Sequence, residues 1–151
     1  MLYHPSNPVV QLCVRGIETE NSGDLEKANA LYREAWQLAN NDLEFITAAH
    51  YLARVQSDPG ESLGWNLMAL EYANKTEDQD ITSFYPTLYL NVAKSYEDLG
   101  NLREAYDHYL LAQTCAHDLP DDGYGNMIRK GVGAGLERLK GQVSDQLRKN
   151  V

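Results

Sequence analysis

Residues 89–112 read YLNVAKSYEDLGNLREAYDHYLLA, and the fold is decided in this stretch. Tyr89, Val92, Ala93 and Tyr96 recur at steps of three and four, which places them on one face of a helix. Gly100 follows, and glycine readily takes the left-handed backbone that ends helices. Asn101-x-x-Glu104 then resembles a capping box, and Ala105, Tyr109, Ala112 and Cys115 resume the helical spacing. The stretch therefore predicts two helices joined by a tight turn, with no strand alternation.

The same punctuation extends outward. Asn7-Pro8, Asn41-x-x-Glu44 and Asp58-Pro59-x-Glu61 read as helix starts, and Gly23 as a helix stop. Helices are predicted at 8–21, 24–39, 42–56, 59–74, 84–99, 102–117 and 122–148, giving an all-α chain of three antiparallel pairs and a terminal helix. Ala28, Leu31, Tyr32, Ala35 and Leu38 form the stripe of the second helix. The fourth, with Leu63, Trp65, Leu67, Met68, Leu70 and Tyr72, is apolar almost all round and is expected inside a stack. Thr82 or Ser83 is expected to cap the fifth, so that Pro86 falls in its first turn. Residues 74–81 are expected to be the longest loop and the place for local mobility.

Sliding the chain against itself by 77 residues aligns Gly23 with Gly100, Ala28 with Ala105, Tyr32 with Tyr109 and Ala35 with Ala112. With Tyr89, Val92, Ala93 and Tyr96 in the W, L, G and Y places of the pattern, the chain resembles the tetratricopeptide-repeat (TPR) family. That resemblance implies a TPR-like α-solenoid over residues 1–151 as one domain. Ile128, Val132, Leu136, Leu139, Val143 and Leu147 give the terminal helix one apolar stripe, expected to cap the last pair, with a helix for a partner or a dimer as the alternative.

Composition narrows the function. A formal charge of −9 argues against nucleic-acid binding, because phosphates reward clustered lysine and arginine. No apolar run suits a membrane helix, and Met1-Leu2-Tyr3 does not open a signal peptide, so a cytoplasmic protein is expected. Cys13 and Cys115 lie far apart and the four histidines lack ligand spacing, so neither a disulfide nor a metal site is signalled. Gly131-Val132-Gly133-Ala134-Gly135 spells G-x-G-x-G, but without a preceding strand it makes a poor cofactor loop. A methyltransferase using S-adenosylmethionine is thus a distant alternative, and neither enzyme chemistry nor a cofactor is expected.

The TPR resemblance implies instead an adaptor that binds a protein or peptide on a concave face lined by the first helix of each pair. The register places Val10, Cys13, Ile17 and Asn21 there from the first helix, and Thr47, His50 and Arg54 from the third. The fifth helix adds Thr87, Leu90, Asn91, Lys94 and Asp98. The face is expected to be apolar at its start and basic in the middle, which suits a peptide with an apolar end and an acidic group. Asn91 and Lys94 suit a grip on a terminal carboxylate, while Cys13 and Ile17 break that pattern. A self-assembling homo-oligomer is the alternative, through the apolar Val10, Cys13 and Ile17 face or the terminal helix.

Overall fold

The structure, a computed structural model, describes residues 4–149, with side chains through 145. Met1-Leu2-Tyr3 lie outside the described residues, and the Leu147 side chain of the terminal stripe outside the described side chains. Among those described are seven α-helices and no strand: α1 Pro8–Asn21, α2 Leu25–Leu38, α3 Asp42–Arg54, α4 Pro59–Lys75, α5 Tyr85–Asp98, α6 Leu102–Ala116 and α7 Gly123–Lys149. They gather into two compact units divided between Thr82 and Ser83.

In the first unit α1 pairs with α2 and α3 with α4, while α3 also packs against α1 and α2. Local chemistry sets the helix ends. The Asn7 side chain accepts from the amides of Val9 and Val10 at 2.8 and 3.2 Å, and Pro8 takes the first turn, where a missing N–H costs nothing. Gly23, at φ 93°, closes α1: its amide reaches Glu20 O, and the Asp24 amide reaches Thr19 O. Asp24 then opens α2 by accepting from the Lys27 amide at 3.0 Å. At α3 the Asn41 side chain caps the Glu44 amide, and Glu44 reaches back to accept from the amide of Asn40 and the side chain of Asn7.

The core of this unit is Val9, Leu12 and Cys13 against Ala28, Leu31, Tyr32 and Ala35, closed by Ala48 and Leu52. Contrary to expectation, α4 is not engulfed. Its buried residues are Asn66, Ala69 and Ala73, and Leu63, Trp65, Leu67, Met68, Leu70 and Tyr72 are each half-buried. Small residues allow close contact with α3, which leaves the large ones on the flanks. There Trp65 and Tyr72 join Trp36 and Phe45 in an aromatic cluster with ring centroids 4.8–6.1 Å apart.

The expected loop at 74–81 is mostly helical: α4 runs to Lys75 and a 3-10 helix spans Gln79–Phe84, so only Thr76, Glu77 and Asp78 lie outside helices. Ile81 pins the segment, being 5% exposed. Phe84, not Thr82 or Ser83, precedes α5, and it makes no side-chain cap; Pro86 sits in the first turn as expected.

The second unit is the α5–α6 pair with α7 laid across it. Gly100, at φ 80°, closes α5 as Gly23 closes α1, but the Asn101 side chain makes no cap hydrogen bond. Leu139 and Val143 pack on Ala93, Ala105 and Tyr109, and Ile128 and Val132 pack on Ala112 and Ala116. The Arg129 guanidinium ties the start of α7 to the end of α6 by donating to the carbonyls of Ala116, Leu119 and Pro120 at 2.8–3.1 Å.

Candidate partner-binding faces

Each unit holds its third helix by the same three-residue bridge. In the first, the buried Tyr32 hydroxyl of α2 donates to Glu20 Oε1 of α1 at 3.1 Å, and Arg54 of α3 donates to Glu20 Oε2 at 2.6 Å. In the second, Tyr109 of α6 donates to Glu97 Oε1 of α5 at 2.7 Å, and Arg138 of α7 grips both Glu97 oxygens at 2.8 and 2.9 Å. The hydrogen bond from Arg138 is the main cause that brings the Glu97 carboxyl down to about 2, against the opposing effect of burial. Burial, then Glu97, pushes the Tyr109 hydroxyl well above its ordinary value.

These bridges orient the faces beside them. On α1, the residues assigned to the open face divide. Val10 and Cys13 are 3% and 2% exposed, and Cys13 lies in the cluster with Ala48 and Leu52 because α1 meets α3 as well as α2. Burial pushes the Cys13 thiol up to about 12, which makes it an inert packing residue. Ile17 is half-buried and Asn21 exposed. Sequence reasoning missed Val14, which is 37% exposed; lying four residues after Val10 and three before Ile17, it shares their stripe.

On α3, Thr47 and His50 are half-buried and Arg54 is exposed. The expected basic patch is weak. Burial, then the neighbouring Arg54 charge, lowers His50 to about 4, so it is neutral at pH 7. Arg54 is held by Glu20 and lies over the Tyr51 ring, 5.8 Å from its centroid.

In the second unit, Leu90 and Asn91 are half-buried on α5, and exposed Lys94 pairs with Asp98 one turn on. Thr87 is 8% exposed, hydrogen-bonded to the Tyr124 hydroxyl of α7. Sequence reasoning favoured a cap for α7 over a partner helix and named none of its residues for binding; Tyr124, Met127 and Gly131 flank α5 at helical spacing. Tyr124 is 41% and Met127 61% exposed, and a side chain at Gly131 would meet Leu90 at 3.3 Å. Of the other glycines in that run, Gly133 faces open space and Gly135 lies beneath the Tyr109 ring. All three belong to the interior of a helix, not to a loop around a cofactor. Among the described residues no group of three or more His, Cys, Asp or Glu is placed to hold a metal, and no helix is long and apolar enough to cross a membrane.

No family model and no curated protein matches the chain. Solved structures do. The crystal structure of PcrH in complex with the chaperone binding region of PopD is 22% identical and covers 94% of this chain and 98% of its own, with a TM-score of 0.62. PcrH from Pseudomonas aeruginosa is 20% identical over 91% of this chain and 96% of its own, with a TM-score of 0.61. The fold is a PcrH-like, TPR-type helical repeat. At this identity the likeness to PcrH speaks for the fold, and the all-α expectation agrees with it.

Proposed function

We propose that this chain is a non-catalytic binding module that holds a segment of another protein on a first-helix face, with α1 and α3 forming the principal one in the first unit and α5 and α7 a separate one in the second. The observation that carries the reading is the seam of α1 and α3, where Val14 and Ile17 remain at the surface above the buried Val10 and Cys13. A firm floor with apolar side chains along its edge is what buries a partner's apolar residues well. PcrH, a protein of this fold, is seen holding the chaperone binding region of another protein. An acidic group on the segment would compete with Glu20 for Arg54, and Arg15 beside Val14 is the other exposed cation on these helices. A reducing, cytoplasmic setting goes with the same reading, since Cys13 and Cys115 are free thiols.

The test is capture from the native cell with a photo-crosslinking residue at position 14, beside a Val14→Asp variant. Val14→Asp is expected to weaken capture about tenfold or more while leaving the melting temperature within a few degrees, since Val14 is partly exposed. A folded variant that captures the same partner equally well sinks the assignment of this face. Met127 and Tyr124 offer a second copy of the chain an apolar contact, and a sedimentation profile showing dimers abolished by Met127→Asp would favour that self-assembling use.

A further inference from the structure

We infer that the segment docking on the α1/α3 face is apolar with lysine or arginine beside its apolar residues, an inference that rests on the binding role proposed above. Through Thr82 the chain has five Lys and Arg against thirteen Asp and Glu, a formal side-chain charge of −8. From Ser83 onward the count is eight against nine, or −1. The acidity of the protein therefore belongs almost wholly to the unit that carries this face.

The two helices of the face have the same sign. Arg15 and Arg54 stand against Glu18, Glu20, Asp42 and Glu44, which is −2. Their charges are unequally available to a partner. Arg54 is neutralised by Glu20 at 2.6 Å, and the uncharged His50 adds nothing. Glu44 is buried and accepts from Asn7 and the Asn40 amide. Glu18 is exposed, next in sequence to Ile17, and Arg15 is exposed, next in sequence to Val14. An arriving segment thus meets Val14 and Ile17 with one exposed cation and one exposed carboxylate beside them, and a negative unit behind. Exposed charges act over a Debye length of about 8 Å at physiological salt, so cations beside the apolar anchors would be attracted and carboxylates repelled.

A library of short random peptides panned on the full chain tests this. Binders are expected to combine apolar residues with an excess of Lys and Arg over Asp and Glu, and to lose about tenfold or more in affinity between low and high salt. Glu18→Lys should weaken them about threefold to tenfold at low salt and hardly at all at high salt, and Val14→Asp should remove binding at both. Melting curves of both variants check that they are folded. Binders that are neutral or acidic, indifferent to salt and still lost in Val14→Asp would overturn the cationic assignment and leave the binding role standing. Binders unaffected by Val14→Asp, or no binders at all, would overturn both.

Discussion

Gly16 and Gly135 make room for equivalent tyrosines from opposite sides. Tyr32 stacks on Tyr51 of α3 at a centroid distance of 5.4 Å, and α1 supplies the space: a Cβ at Gly16 would lie 2.2 Å from the Tyr32 ring. Tyr109 stands 77 residues on, but the position equivalent to Gly16 is Ala93, and the space comes from α7, where a Cβ at Gly135 would lie 2.3 Å from the ring. Both rings are fully buried and cannot swing aside. Gly16→Ala and Gly135→Ala should therefore each cost about 1–3 kcal/mol by overpacking, although alanine is the better helix former. Gly133→Ala, which meets nothing within 4 Å, is the control and should be neutral or stabilising. Denaturant melts decide, and equal stabilities for Gly133→Ala and Gly135→Ala would contradict this packing.

At the scale of elements, the tyrosine–carboxylate–arginine bridge ties a third helix to each pair. Its electrostatics give the second unit a defined acid sensitivity. Glu97 titrates near 2 in the fold against an ordinary 4.5, so the unfolded chain binds more protons between those values. The contribution is complete above about 4.5 and is lost as pH falls toward 2. It should amount to something on the order of 1–2 kcal/mol, after allowing for solvent around the half-exposed Arg138 guanidinium. Glu97→Gln is expected to flatten the dependence of melting temperature on pH in this window and to be less stable than the parent above it. Parallel curves for parent and variant would show that the bridge carries no such energy.

For the whole molecule, the decisive feature is how the repeat stops. Aligning Arg138 with Arg54 puts α7 in the role of α3, a first helix without a second. In α3, Phe45 stacks on Tyr72 of α4 and Ala49 and Ala53 are buried. The matching positions of α7 are Arg129, Gly133 and Glu137, of which Gly133 and Glu137 are exposed. That side of α7 is built for water, as a capping element requires. Its other side buries Ile128, Val132, Leu139 and Val143, worth about 1.5–3 kcal/mol each, a sum comparable with the whole stability of a typical domain. Deleting residues 122–151 should consequently unfold the α5–α6 pair and promote aggregation. A truncated chain that stays monodisperse and melts like the parent would remove α7 from the capping role.

Apolar spacing and helix punctuation determined the seven helices almost to their ends, because caps such as Asn7 and Asp58 and stops such as Gly23 and Gly100 act within a few residues of chain. The 77-residue echo likewise carried the pairing of α1 with α2 and α5 with α6, since each pair is closed by one short turn. Tertiary structure alone decided which side of each helix stayed exposed. Cys13 looks like a surface residue of a lone pair and is buried because a third helix covers it, while Val14 stays out. It also decided charge: Arg54 and His50 read as basic in the sequence, but Glu20 reaches the first from another helix and burial keeps the second neutral. Helix formation depends on neighbours within a turn or two, whereas exposure and ionisation depend on residues that only the packed helices bring together.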